Sequence, residues 1–234
     1  MNWTFRHIIL IGFTFIKIPT TSAQSNQLGN WWVYFANQKI NQNWSIQSDI
    51  QYRNYQLLDQ RNQILGRVGL GYNLKDQNHN LLIGYAFVAS DLYDNEDVYK
   101  STKNESRIYQ QYLLRKNNGS NFFTHRIRIE ERFFPSEFGL RGRYFISVQK
   151  PLNKKSIVKH TTYLSAYNEL FVDLKNAEFD RNRIYLGIGY GITSDIRIET
   201  GYMIQAQKNM QRGQLQLILI NNVSLEKIKS RLKG

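Results

Sequence analysis

Three features predict an all-β fold, specifically a closed antiparallel transmembrane β-barrel of outer-membrane type with roughly 10–12 strands. Apolar and polar residues alternate with period two along most of the chain. The two prolines beyond the first 23 residues, Pro135 and Pro151, fall between the alternating runs, as a ladder needing every N–H demands. Arginine, not lysine, is the cation inside those runs. The alternation is plain in Trp44-Ser45-Ile46-Gln47-Ser48-Asp49-Ile50-Gln51-Tyr52-Arg53. It recurs in His125-Arg126-Ile127-Arg128-Ile129-Glu130-Glu131-Arg132-Phe133 and in Ile196-Arg197-Ile198-Glu199-Thr200-Gly201-Tyr202. A helix would scatter both classes around its surface.

In chain order, residues 1–23 read as a cleaved secretory signal. Arg6 and His7 precede the apolar stretch 8–16, Pro19 follows, and Thr21-Ser22-Ala23 offers a small-residue cleavage site. Residues 24–224 form the barrel domain and 225–234 a basic C-terminal tail. Within the barrel, eleven runs qualify as strands: 29–38, 44–54, 63–73, 80–88, 105–115, 122–133, 141–150, 157–171, 183–192, 196–206 and 213–223. Because single-chain bacterial barrels carry an even count, ten or twelve is expected, with one run split or one missed. Short connections (39–43, 75–79, 116–121, 151–156, 193–195) alternate with longer ones, the largest at 89–104 and 172–182, which predicts a short-turn rim and a long-loop rim.

The two cations identify the faces. Strand interiors use Arg53, Arg67, Arg107, Arg126, Arg128, Arg132, Arg141, Arg143, Arg183 and Arg197, while the lysines fall in turns, loops, strand ends and the tail. A crowded interior favours the planar, less hydrated guanidinium, so the polar face is expected inside. Parity puts Asp49, Glu105, Glu130, Glu169 and Glu199 on that face. Gly71, Gly84, Gly189 and Gly201 are expected inward, making room for arginine, and the tyrosines that follow them outward. The opposite face (Ile46, Ile50, Val68, Leu70, Leu81, Ile83, Ile127, Ile129, Ile146, Val148, Leu186, Ile188, Leu217, Leu219) carries no charge, as lipid contact requires. Glu131 is its one exception.

An ordered series of strings resembles a bacterial family catalogued as domain of unknown function 2490. It comprises ESRIYQQ at 105–111, HRIRIEERF at 125–133, RGRYFISVQKPL at 141–152, AYNELF at 166–171, FDRNRIYLGIGY at 179–190 and ETGYMIQ at 199–205. The resemblance spans essentially the whole chain after residue 23. It implies an outer-membrane β-barrel of Gram-negative bacteria and no established activity, so it supplies no catalytic residues. Outer-membrane barrels often close on a strand ending in an aromatic residue, whereas this chain runs on through Leu225–Gly234.

The chain's 31 Lys plus Arg against 18 Asp plus Glu give +13. Cysteine is absent, excluding a disulfide scaffold, a thiolate metal site and a Cys nucleophile. The chemically unusual feature is the inward set Arg107, Arg126, Arg128, Glu130, Arg132, Arg143, Glu169, Arg183, Arg197 and Glu199. It is expected either to attract anions or to pair across strands and plug a small barrel. Arg107 to Glu169, lying on consecutive strands, are expected to share one network. No catalytic, cofactor or metal site is expected. No GxSxG elbow occurs, His125 is placed about opposite Tyr112 and far from Ser106, and Glu130 and Glu131 face opposite ways. The acidic loop 91–97 lacks the glycine of a calcium loop. Arginines spread along strands do not form a nucleic-acid stripe. Lys150, Lys154, Lys155 and Lys159 are placed to touch anionic head groups. The expected protein is a monomeric outer-membrane barrel, structural, binding or a narrow anion-preferring pore. Its expected partners are outer-membrane lipid and lipopolysaccharide, with barrel-assembly machinery during insertion. The alternatives are a membrane-embedded enzyme acting on lipid or lipopolysaccharide, and a soluble periplasmic lipocalin-like barrel.

Overall fold

The computed structural model describes residues 23–24, 28–57, 59–93, 98–225 and 227. The expected signal and tail lie almost wholly outside these residues. After a two-residue strand β1 (Ala23–Gln24), the chain forms a continuous meander of long strands: β2 (Gly29–Lys39), β3 (Trp44–Asn54), β4 (Arg61–Asn73), β5 (His79–Tyr93), β6 (Tyr99–Asn118), β7 (Asn121–Phe133), β8 (Phe138–Pro151), β9 (Thr162–Asp173), β10 (Glu178–Gly191), β11 (Ile196–Gln207) and β12 (Met210–Asn221). Each pairs antiparallel with the next, and β12 returns to β2, closing the sheet into a barrel. Among the described residues no helix is long and apolar enough to cross a membrane, which says nothing about strands.

The wall has eleven strands, β2 to β12, so the expected even count is corrected. An odd number follows from the connectivity. Strands that reverse at every turn leave the first and eleventh running the same way, so they can close only in parallel. Gln214–Asn221 accordingly lie beside Gly29–Ala36 in parallel register. β1 continues that seam against Met210 and Gln211.

The expected asymmetry between short and long connections is also corrected. Most of 89–104 is ladder, because β5 runs to Tyr93 and β6 starts at Tyr99, with Asp91 opposite Thr102. Backbone pairing continues there although the side chains no longer alternate. The region 172–182 reduces to the turn 174–177 in the same way. The longest connection, 152–161, lies on the rim expected to hold only short turns, so the run beginning at 157 starts as strand only at Thr162. Pro151 is the last residue of β8, where a missing donor is tolerated. Between β6 and β7 the tight turn relies on Gly119 at φ 60°, a conformation only glycine adopts freely.

Burial is inverted relative to a water-soluble fold. Glu130 is 0% exposed and Arg128 4%, whereas Ile50 and Leu186 are 61% and 65% exposed. In a single closed layer of strands, side chains that are buried in this alternating way point to the inside. The inward glycines serve a different purpose from the one expected. A Cβ at Gly84 would overlap the ring of Tyr109, one at Gly189 that of Tyr163, and one at Gly201 would press on Tyr185. These three rings are themselves almost fully buried. These three glycines therefore make grooves for inward tyrosines lying across neighbouring strands, not room for arginine, while a Cβ at Gly71 would meet Asn80 and Ser45. A bulky flat ring close to the wall needs that space, whereas an arginine extends past it toward the centre.

Candidate functional site: the charged interior and the tyrosine girdle

Strands β6 to β10 contribute the charged centre. Glu130, on β7, is approached by Arg141 and Arg143 of β8, each at 2.5 Å, with Arg128 at 3.6 Å and Arg107 at 3.8 Å. Arg143 also reaches Glu169 of β9 at 2.6 Å, and Glu169 takes Arg126 at 2.6 Å and Arg183 at 3.6 Å. On the other side, Arg107 pairs with Glu105 at 2.6 Å, and Glu105 receives Arg132 at 2.6 Å. The structure thus brings Arg107, Arg126, Arg128, Glu130, Arg132, Arg143, Glu169 and Arg183 into one connected array. Arg197 and Glu199 stand outside it, both touching Gln149 at 3.5 Å.

The register explains the array. Arg128 lies directly opposite Arg143, and Glu130 opposite Arg141, so like and opposite charges share adjacent rungs. Two like charges facing across strands are unfavourable, and sharing one carboxylate relieves both. Phe171 adds an apolar face to the cluster, with the Arg143 and Arg183 guanidinium groups each 4.6 Å from its ring centre. Sequence reasoning placed Arg141 on the inner face but not in the shared network, and it missed the inward aromatics Trp31, Tyr109, Tyr163, Phe171 and Tyr185 as parts of this interior. Strand parity alone could have placed Trp31 and Phe171 there.

A cavity of ≈ 870 Å³ runs through this region. Its lining includes Asn37, Thr124 and Asn222 at one rim and Lys103, Glu137 and Asn176 at the other, with Arg67, Arg107, Arg143 and Arg183 between. At the second rim Lys103 hydrogen-bonds Glu137 at 2.7 Å, which holds that carboxyl below its ordinary value.

The outer surface carries a second ordered feature. Tyr34, Tyr72, Tyr112, Tyr144 and Tyr190 stand on β2, β4, β6, β8 and β10, toward the rim of turns 40–43, 74–78 and 119–120. Each hydroxyl is hydrogen-bonded by a polar residue of the neighbouring strand or turn: Asn221 at 2.9 Å, Asn43 at 3.1 Å, His79 at 2.5 Å, His125 at 2.9 Å and His160 at 2.7 Å. The three histidine pairs share one geometry, the histidine lying two residues before the tyrosine's ladder partner. His125 lies opposite Leu114 and bonds Tyr144, which corrects the placement near Tyr112. The sequence signal was available in the outward parity of all five tyrosines, but their partners come from other strands. On the same outer face Gln110 donates to the exceptional Glu131 at 3.4 Å.

A family model described as "Protein of unknown function (DUF2490)" matches residues 28–216. No curated protein and no solved structure matches the chain.

Proposed function

The chain belongs to the family of unknown function DUF2490, and from that premise we propose that it is an integral outer-membrane barrel, acting as a monomer, whose arginine-rich interior is a narrow anion-preferring passage. The observation that carries the passage is the cavity lined by residues of both rims, with guanidinium groups along its length. Of the charges named from the sequence, ten arginines and five carboxylates face inward, so the path has positive excess, the condition for attracting anions.

The outer-membrane assignment rests on the outside of the barrel. A water-soluble monomer rarely exposes an apolar patch beyond a few hundred Å², yet Val68, Leu81, Ile83, Ile127 and Leu186, spread around the barrel on β4, β5, β7 and β10, are all at least half exposed. The tyrosine girdle fits the level where amphipathic rings settle between hydrocarbon and head groups. Beyond it, Lys154, Lys155 and Lys159 in the 152–161 connection suit contact with lipopolysaccharide phosphates. A lipocalin-like soluble barrel would carry the opposite polarity, with its apolar face inside.

Planar-bilayer recording of refolded protein tests the passage. Single-channel steps with a reversal potential of chloride sign under a KCl gradient are expected, and a silent bilayer removes it. A second reading, a sealed structural barrel, draws on Glu130, which is 0% exposed beneath four arginines spanning the interior. The same silent bilayer is its expected outcome. Extraction of the native protein without detergent would remove both readings.

A further inference from the structure

Arg53 differs from the other deeply buried arginines that line the cavity. Among the described residues Arg107, Arg141, Arg143 and Arg183 each have a carboxylate at 3.6 Å or closer. Arg53 is 8% exposed and has no carboxylate partner among the described residues. Its Nη1 and Nη2 donate to the neutral amide oxygens of Gln63 and Gln51, both at 2.5 Å. Those two amides are locked in that orientation, since Gln63 Nε2 donates to Ser90 Oγ at 2.6 Å and Gln51 Nε2 to Asp49 Oδ1 at 2.9 Å. Arg53 Nε is buried without a partner, and so is the indole Nε1 of Trp31. Trp31 is the ladder partner of Arg53, and the Arg53 guanidinium lies 3.9 Å from its ring centre. Arg183 approaches the same indole at 4.7 Å.

A buried charge is tolerated when it is paired. Ring and amide contacts offset only part of the desolvation of Arg53. Among the residues lining this end of the cavity, Arg53 Nε–H and the Trp31 indole N–H are buried donors without an acceptor, beside the Arg183 guanidinium, whose Nε donates to Gln205 at 2.8 Å. The carboxylate nearest Arg183, Glu169, is already shared with Arg126 and Arg143. The geometry points to a binding site for one phosphate-class oxyanion, held by Arg53, Trp31 and Arg183. A tetrahedral dianion answers two guanidinium groups and supplies directional acceptors for a fork and an indole N–H. Chloride supplies neither the second charge nor the directionality. This site rests on the reading of the interior as anion-accepting, and deepens it by naming the ligand class.

The test uses the refolded full-length mature protein in detergent, followed by calorimetric titration and thermal unfolding with inorganic phosphate, acetate or chloride at matched ionic strength. Phosphate is expected to bind and to raise the unfolding temperature, with little response to acetate or chloride. In Arg53→Gln the phosphate response is expected to vanish, while unfolding without phosphate occurs no lower than in the wild type, because the removed charge had only neutral amide and ring partners among the described residues. Arg53→Lys, which keeps the charge but loses the fork, is expected to weaken phosphate by about tenfold or more; it decides the matter if Arg53→Gln does not refold. Arg61→Gln, whose guanidinium pairs with Asp91 at 2.6 Å away from the cavity lining, is expected to respond like the wild type. An unresponsive wild-type protein, or a phosphate response that survives loss of Arg53, overturns the site. Binding is read without conduction, so the two proposals fail separately. A silent barrel that binds phosphate loses the passage and keeps the site; a conducting barrel indifferent to phosphate does the reverse.

Discussion

At the scale of single residues, Glu130 and the inward glycines carry the sharpest expectations. Glu130→Ala leaves Arg107, Arg128, Arg141 and Arg143 around a vacated charge. Breaking a buried pair in this way costs about 3–5 kcal/mol, and urea unfolding of the refolded barrel is expected to show a loss of that order. Gly189→Ala drives a methyl into the Tyr163 ring, whereas a Cβ at Gly66 meets nothing within 4 Å. The first change is therefore expected to destabilise. Gly66→Ala is expected to be neutral or to stabilise by roughly 0.5–1 kcal/mol through chain entropy. In the double variant Gly189→Ala/Tyr163→Ala, removing the ring should recover part of the loss, and equal losses with and without it would refute the groove. The direction of each interior arginine was legible from parity. That the glycines house tyrosines was not, because the ring above Gly189 comes from β9, outside its local sequence.

At the scale of strands, the odd count has a consequence that can be measured. Asn41, in the turn after β2, and Lys208, in the turn before β12, lie on opposite rims because nine strands separate them. Both positions are exposed, and the chain has no cysteine to interfere. In intact cells a membrane-impermeant maleimide is expected to label only one of Asn41→Cys and Lys208→Cys, the other becoming reactive after the envelope is opened. Labelling both from one side would mean an even-stranded wall. The eleven runs were legible as strands, and most of their cores lie within a few residues of the observed ones. Their ends were less so, as at 99–105, where backbone hydrogen bonds extend the ladder through residues with no apolar period. The parallel closure of β12 on β2 leaves no local trace, because it joins segments nearly the whole chain apart.

For the whole molecule, charge balance along the cavity decides the expected behaviour. Removing one guanidinium from the path, as in Arg67→Gln, is expected to reduce chloride preference in the bilayer with little change in unit amplitude. A second measure is the salt series: selectivity is expected to fall as ionic strength rises and the fixed charges are screened. Selectivity indifferent to both changes would mean that the interior arginines do not line the conducting path. Arg67 pairs with Asp49 at 2.7 Å, so urea unfolding of the same variant separates lost selectivity from lost fold.

What the sequence determined by itself is the material of the wall: strands from their period of two, a polar face rich in arginine, and an apolar face without it. Those are properties of neighbouring residues, and the pleat converts them directly into two surfaces. The tertiary structure decided what depends on closure. It set the count at eleven, joined Glu130 and Glu169 to their arginines, aligned five tyrosines with Asn43, His79, His125, His160 and Asn221, and left Arg53 without a carboxylate among the described residues. Each of these is a relation between strands, and the distance across a barrel is set by how the sheet closes on itself, which no local pattern encodes.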